Sequence, residues 1–109
     1  MAYDEALAAR IREHAAGAPV MEKKMFGGLA FLLGGHMSVA ASREGGLLVR
    51  VEPAETGTLL EEPGVAPFEM RGRAMDGWLR VSADAVTDED ALARWVDRGL
   101  AYAGSLPPK

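Results

Sequence analysis

The chain has no cysteine. Disulfides, thiolate nucleophiles and cysteine-ligated zinc are therefore excluded. Histidine is nearly as sparse. His14 and His36 are the only two, and without a His-x-x-x-His spacing they offer no structural metal site; surface or capping roles are expected for both. There is no excess of positive charge: 12 basic against 16 acidic residues leave a net charge of −4. That weighs against a general nucleic-acid binder, whose affinity comes largely from clustered cations. No run approaches the roughly 20 apolar residues of a membrane helix. The amino terminus, Met1-Ala2-Tyr3-Asp4-Glu5, lacks the basic-then-apolar pattern of a secretory signal. A cytoplasmic protein with no membrane partner is expected. Internal repeats, low-complexity tracts and linkers are absent too.

What is present is a globular composition, 49% hydrophobic over 109 residues, which predicts one small domain spanning 1–109. Heavy use of Ala, Gly and Arg points to a GC-rich bacterial genome. Leu7, Ile11 and Ala15 recur at helical spacing within a helix predicted over 4–16, with Asp4 and Glu5 at its positive end and Gly17 and Pro19 after it. Strands are predicted over 22–26, 29–33, 36–42 and 47–51, joined by short glycine turns as in an antiparallel meander. Pro53 opens a short helix to about Leu60. Further strands are expected over 68–70 and 78–81, with 71–77 between them. Thr87 is placed as the cap of a final helix whose stripe is Leu92, Trp95, Val96, Gly99, Leu100 and Ala103. The order α-β-β-β-β-α-β-β-α predicts an α+β fold, two layers with an antiparallel sheet and helices.

Alternation assigns faces. Leu47, Val49 and Val51 share one, Leu48 and Arg50 the other; Leu79 and Val81 oppose Trp78 and Arg80. The strand over 29–33 is apolar on both sides, which predicts cover on both, either by helices or by a partner subunit. A two-fold homodimer is the expected form.

The segment Lys23-Lys24-Met25-Phe26-Gly27-Gly28 concentrates charge, a ring and an adaptable backbone. Strand geometry sends Lys23 and Lys24 to opposite faces, so only one serves any given anion site; the alternative is a pair of solvated edge lysines. Gly27 and Gly28 fit a bulge or tight corner, since no phosphate-loop or dinucleotide fingerprint accompanies them. Arg50, Arg71, Arg73 and Arg80 are candidates for a basic patch around Trp78, whose alternative role is packing or dimerisation. The six methionines are read as filler of a core or interface. Ser38, Ser42, Ser82 and Ser105 lie in no nucleophile elbow, and the carboxylates sit at helix starts and in loops. No catalytic residue, cofactor or metal ligand is expected.

Several separated motifs resemble the amino-terminal domain of the TfoX/Sxy family over nearly the whole chain. They are Lys23-Lys24-Met25-Phe26-Gly27-Gly28-Leu29-Ala30-Phe31, Leu48-Val49-Arg50-Val51, Gly77-Trp78-Leu79-Arg80-Val81, Trp95-Val96-Asp97-Arg98-Gly99-Leu100-Ala101 and Ser105-Leu106-Pro107-Pro108-Lys109. The resemblance implies a two-layer α+β domain. Two-domain members are regulators of natural competence that act with the cyclic-AMP receptor protein and carry a second, helical domain. This chain ends at Lys109 without it, so a stand-alone domain is expected. The resemblance transfers no catalytic residues.

The expected function is a non-enzymatic regulatory module that binds a protein, with transcription machinery as one candidate partner. Its binding residues are Lys23, Lys24, Phe26, Gly27, Gly28, Arg50, Trp78 and Arg80. Two alternatives remain open: a nucleic-acid-binding regulator using the Lys/Arg/Trp patch, and a small-ligand protein or enzyme with its site at the Gly27-Gly28 bend.

Overall fold

A computed structural model describes residues 3–25, 27–70 and 72–108. Helix α1 spans Glu5–His14; the carboxylate of Asp4 caps it by accepting from the backbone N–H of Ala6 and Leu7 at 2.9 and 3.1 Å. Strands β1 (Met21–Met25), β2 (Gly28–Leu33), β3 (His36–Ala41) and β4 (Leu47–Arg50) follow. A 3-10 turn, Pro53–Glu55, leads into the short helix α2, Thr56–Leu59. Strands β5 (Val65–Met70) and β6 (Arg73–Val81) precede helix α3, Glu89–Ser105. The fold is α+β in the predicted order.

The six strands form one antiparallel sheet in the order β1-β2-β3-β4-β6-β5. The meander β1 to β4 is local. The β2–β3 turn is Gly34-Gly35, with φ of 62° and 85°, the left-handed pair that a two-residue hairpin requires. The chain then passes over α2, places β5 at the far edge and returns β6 between β5 and β4.

Several boundaries differ from the sequence reading. Strand β5 starts at Val65, three residues early, because an edge strand accommodates Pro67 without losing a ladder bond on both sides. Strand β6 starts at Arg73, within the predicted connection. Gly77 does not break it: its N–H donates to the buried Thr56 hydroxyl at 2.8 Å, and its carbonyl accepts from Val51 N–H at 2.8 Å. Asp88, not Thr87, caps α3, accepting from Ala91 N–H at 3.0 Å. Thr87 instead donates its hydroxyl to the Ala83 carbonyl. Helix α1 ends at His14, before Gly17 and Pro19, with Ala15 as its C-cap.

The main core lies between the sheet and the helices. Leu29, Phe31, Val39, Val49 and Leu79 from the strands meet Leu7 and Ile11 of α1, Leu59 of α2, and Leu92, Trp95 and Val96 of α3. Burying each large side chain contributes about 1.5–3 kcal/mol. Helix α3 seats on β3 at Gly99, where a Cβ would stand 2.5 Å from the Ser38 carbonyl oxygen. Ser38 is fully buried beside an irregularity in the β2–β3 register and donates to the Phe31 carbonyl at 2.7 Å.

A second, smaller apolar cluster occupies the other side of the sheet: Ala30, Met37, Ala40 and Leu48, with Met25, Leu32, Phe68 and Trp78 packed against it. Every one of these is a strand residue. Thus β2 is apolar on both faces, as expected, but the three helices do not share the two faces. Among the described residues they contribute to one core only.

Candidate functional site

The registers place the predicted binding residues on rows across the sheet. Lys23 pairs with Ala30, Ala30 with Ala40, Ala40 with Leu48, Leu48 with Arg80, and Arg80 with Ala66. This row lies on the helix-free face. Its two cations are separated by four strand spacings, about 19 Å, with three small or aliphatic residues between them. The neighbouring row on the same face pairs Arg50 with Trp78.

Gly77 fixes this second row. With both its backbone groups engaged by Thr56 and Val51, the strand cannot slip, and Trp78 is held opposite Arg50. The Arg50 guanidinium lies 5.2 Å from the Trp78 ring centroid and 5.6 Å from that of Tyr102 on α3, within cation–π range of both. Phe68 joins the aromatic group, its centroid 6.2 Å from that of Trp78 with the planes tilted by 39°. Met25, Leu32, Phe68 and Trp78 are only half-buried.

Lys24 is not on this face. It pairs with Leu29, whose side chain belongs to the helix-side core. Its other neighbour on that side, Glu22, is engaged by Arg12 of α1, which donates from Nε and Nη2 at 2.6 and 2.8 Å. That hydrogen bonding holds the Glu22 carboxyl below its ordinary range and raises Arg12. Phe26 lies outside the described residues, as does Arg71. Gly27 has φ of 75° in the two-residue connection between β1 and β2, whose flanking residues Met25 and Gly28 pair. The predicted corner is therefore a tight hairpin. A Cβ on Gly28 would collide with the Ala41 carbonyl oxygen, so Gly28 serves the close approach of β2 to β3. Arg73 is exposed at the start of β6, opposite Met70.

Beside Gly28 the helix-free face carries a dimple of about 60 Å³, lined by Met25, Ala40, Leu48, Phe68, Arg43 and Arg80 among others. That is the volume of about two waters, against the roughly 300–1,000 Å³ of a small-molecule pocket. Arg80 at its rim lies 3.4 Å from Glu44. A larger open groove of about 390 Å³ runs on the helical side past Pro63, Asp84, Arg94 and Trp95. Among the described residues no three His, Asp or Glu side chains are grouped to hold a metal ion.

His14 and Arg10 of α1 both reach Glu89 at the start of α3, at 2.7 and 2.5 Å. The hydrogen bond from His14, then that from Arg10, depresses the Glu89 carboxyl. His36 contacts the Pro107 carbonyl at 2.7 Å. Both histidines thus tie elements together.

Met25, Leu32, Phe68, Arg43 and Tyr102 also belong to this region, and the sequence reading named none of them as site residues. Strand parity places Met25 with Lys23, and Leu32 with Ala30. Arg43 joins through the pairing of β2 with β3, which brings the turn after β3 beside Gly27 and Gly28; Phe68 joins only through the β4-β6-β5 order, and Tyr102 only through the seating of α3.

A family model described as the TfoX N-terminal domain matches residues 13–103. No curated protein matches the chain. No helix among the described residues is long and apolar enough to cross a membrane.

Proposed function

The chain belongs to the TfoX N-terminal domain family, and from that premise we propose that it is a cytoplasmic, non-enzymatic regulatory module that binds protein through the helix-free face of its sheet. The observation that carries this is the second apolar cluster. Half-buried Met25, Leu32, Phe68 and Trp78 surround buried Ala30, Met37, Ala40 and Leu48 on the side opposite the helices. A contiguous apolar face rimmed by polar groups marks an interaction surface more often than a bare fold requirement. Tryptophan and arginine are also the residue types that dominate binding energy at such surfaces. Arg50 with Trp78 supplies both. Self-pairing of this face in a two-fold homodimer is one form of the function. Docking of a different protein, with transcription machinery as the candidate suggested by the resemblance to competence regulators, is the other.

The test combines sedimentation of the purified chain with capture of partners from a native bacterial lysate, each repeated with Trp78→Ala and Arg50→Ala after their melting curves confirm folding. Removal of a dominant interface residue costs about 2 kcal/mol or more, roughly 30-fold in affinity. The expected outcome is association, with itself or with another protein, that Trp78→Ala abolishes. A chain that stays monomeric and recovers only itself, unchanged by either substitution, overturns the proposal.

A second reading, nucleic-acid binding, is favoured by the guanidinium of Arg50 against the Trp78 ring, an arrangement on which a base can stack. Against it, Lys23 and Arg80 are about 19 Å apart and do not form one cationic site.

A further inference from the structure

The charges of this chain are segregated by layer. The described residues of 21–51 and 65–81, which form the strands and their hairpin turns, carry six cations against four carboxylates. The remaining described residues, which form the helices and their connections, carry four cations against twelve carboxylates. A protein of net charge −4 thus presents a sheet layer of net positive sign backed by a strongly negative helical layer. On the helix-free face the cations bracket the apolar strip: Lys23 stands at one end of the row and Arg80 at the other, with Arg50 beside Trp78.

Resting on the interaction function above, we propose that the occupant of this face is an acidic amphipathic helix of another protein. Its apolar side would lie on Met25, Leu32, Phe68 and Trp78, and its carboxylates would meet Lys23, Arg50 and Arg80. Three observations select this partner. The strip between Lys23 and Arg80 is about 19 Å long, which about 13 residues of helix span. The dimple lined by Met25, Leu48 and Phe68 has Arg43 at its edge beside the Arg80–Glu44 pair, so a single apolar side chain seats there with a carboxylate one turn away in reach of the Arg43 guanidinium. Cation–π contact engages the charge of Arg50 but not its N–H donors, which remain able to bind a carboxylate. A second copy presenting the same face would oppose cation to cation across the two-fold axis, which electrostatic complementarity disfavours. Nucleic acid satisfies the cations and leaves the methionine and leucine side chains without an apolar counterpart.

The experiment is a fluorescence-anisotropy titration of the full chain with four labelled probes. These are a 16-residue helical peptide with leucine on one face and glutamate on the other, the same peptide with lysine for every glutamate, polyglutamate of equal length, and a 20-nucleotide single-stranded DNA. The glutamate–leucine peptide is expected to bind at least about tenfold tighter than each of the others, with an affinity that falls as salt rises. Arg80→Glu and Lys23→Glu, the latter at an exposed residue, are each expected to weaken it severalfold, and Trp78→Ala to abolish it. Thermal melts confirm that each variant is folded. Equal binding of the lysine peptide, or indifference to both charge reversals, overturns the acidic partner. Preferential binding of the DNA overturns it in favour of phosphate recognition. A homodimer broken by Trp78→Ala overturns it while leaving the interaction function standing. A monomer that binds no probe and captures nothing fails both.

Discussion

At the scale of single residues, glycine does two different jobs in α3. Replacing a helical glycine with alanine ordinarily gains up to about 1 kcal/mol. At Gly99 the added Cβ would lie 2.5 Å from the Ser38 carbonyl oxygen and 2.8 Å from a Val39 methyl group, both in the body of the sheet. Overpacking of this kind costs about 1–3 kcal/mol, so the clash outweighs the propensity. At Gly104 the nearest atom is a Leu33 methyl group at 3.3 Å, at the end of a flexible side chain. Gly99→Ala is therefore expected to lower the urea midpoint, and Gly104→Ala to leave it unchanged or raise it. Equal responses would show that α3 does not sit on β3 through Gly99. Gly99 was recognisable in the sequence as a member of the buried stripe. What was hidden is the carbonyl it faces, because that contact depends on the register of β3.

At the scale of elements, α1 is fastened at both flanks: by ion pairs of Arg12 with Glu22 of β1 and of Arg10 with Glu89 at the start of α3, and by a hydrogen bond between His14 and Glu89. The Glu22 and Glu89 carboxyls are both depressed. A group depressed on folding contributes stability that is present above its unfolded value and is lost as pH falls through its folded one. The loss belongs to the range below about pH 4.3, the ordinary glutamate value. Urea midpoints measured from pH 7 to pH 3 are expected to show Glu22→Gln and Glu89→Gln less stable than the natural chain at neutral pH and convergent with it in acid. A gap that persists unchanged to pH 3 would assign the effect to something other than these carboxylates. The elements themselves were largely legible. Periodicity marked the long helices, turn residues and apolar runs marked the strands, Pro53 marked the short helix, and alternation put Lys23 and Lys24 on opposite faces. Three things were not legible. Strand order β4-β6-β5 is a long-range choice that brings Phe68 to Trp78. Positive φ at Gly77 reads as a break in sequence and is an anchored strand position in the fold. The one-sided placement of the helices cannot be told from two-sided cover when β2 is apolar on both faces.

At the scale of the whole molecule, the sheet has a protected middle and two edges. Strands β3 and β4 are paired on both sides and almost wholly buried, whereas β1 is exposed over its first four residues and, like β5, has one neighbour. Native-state hydrogen exchange is expected to be slowest at the amides of β3 and β4 and faster at β1 and β5. Fast exchange in β3 would contradict the placement of the core. The sidedness of the molecule also governs how it can be held. The amino-terminal end, at Asp4 and Ala6, lies beside Val86 and Thr87 on the helical layer. The carboxy-terminal end folds onto the β2–β3 hairpin, with Pro108 against Gly34 and Pro107 bonded to His36, at the end of the sheet where Arg50 meets Tyr102. An anchor attached at the amino terminus would leave the cationic apolar face turned to the solution, while one at the carboxy terminus would stand at its margin. In a surface-immobilised assay the choice of tether would decide whether that face is displayed or obstructed.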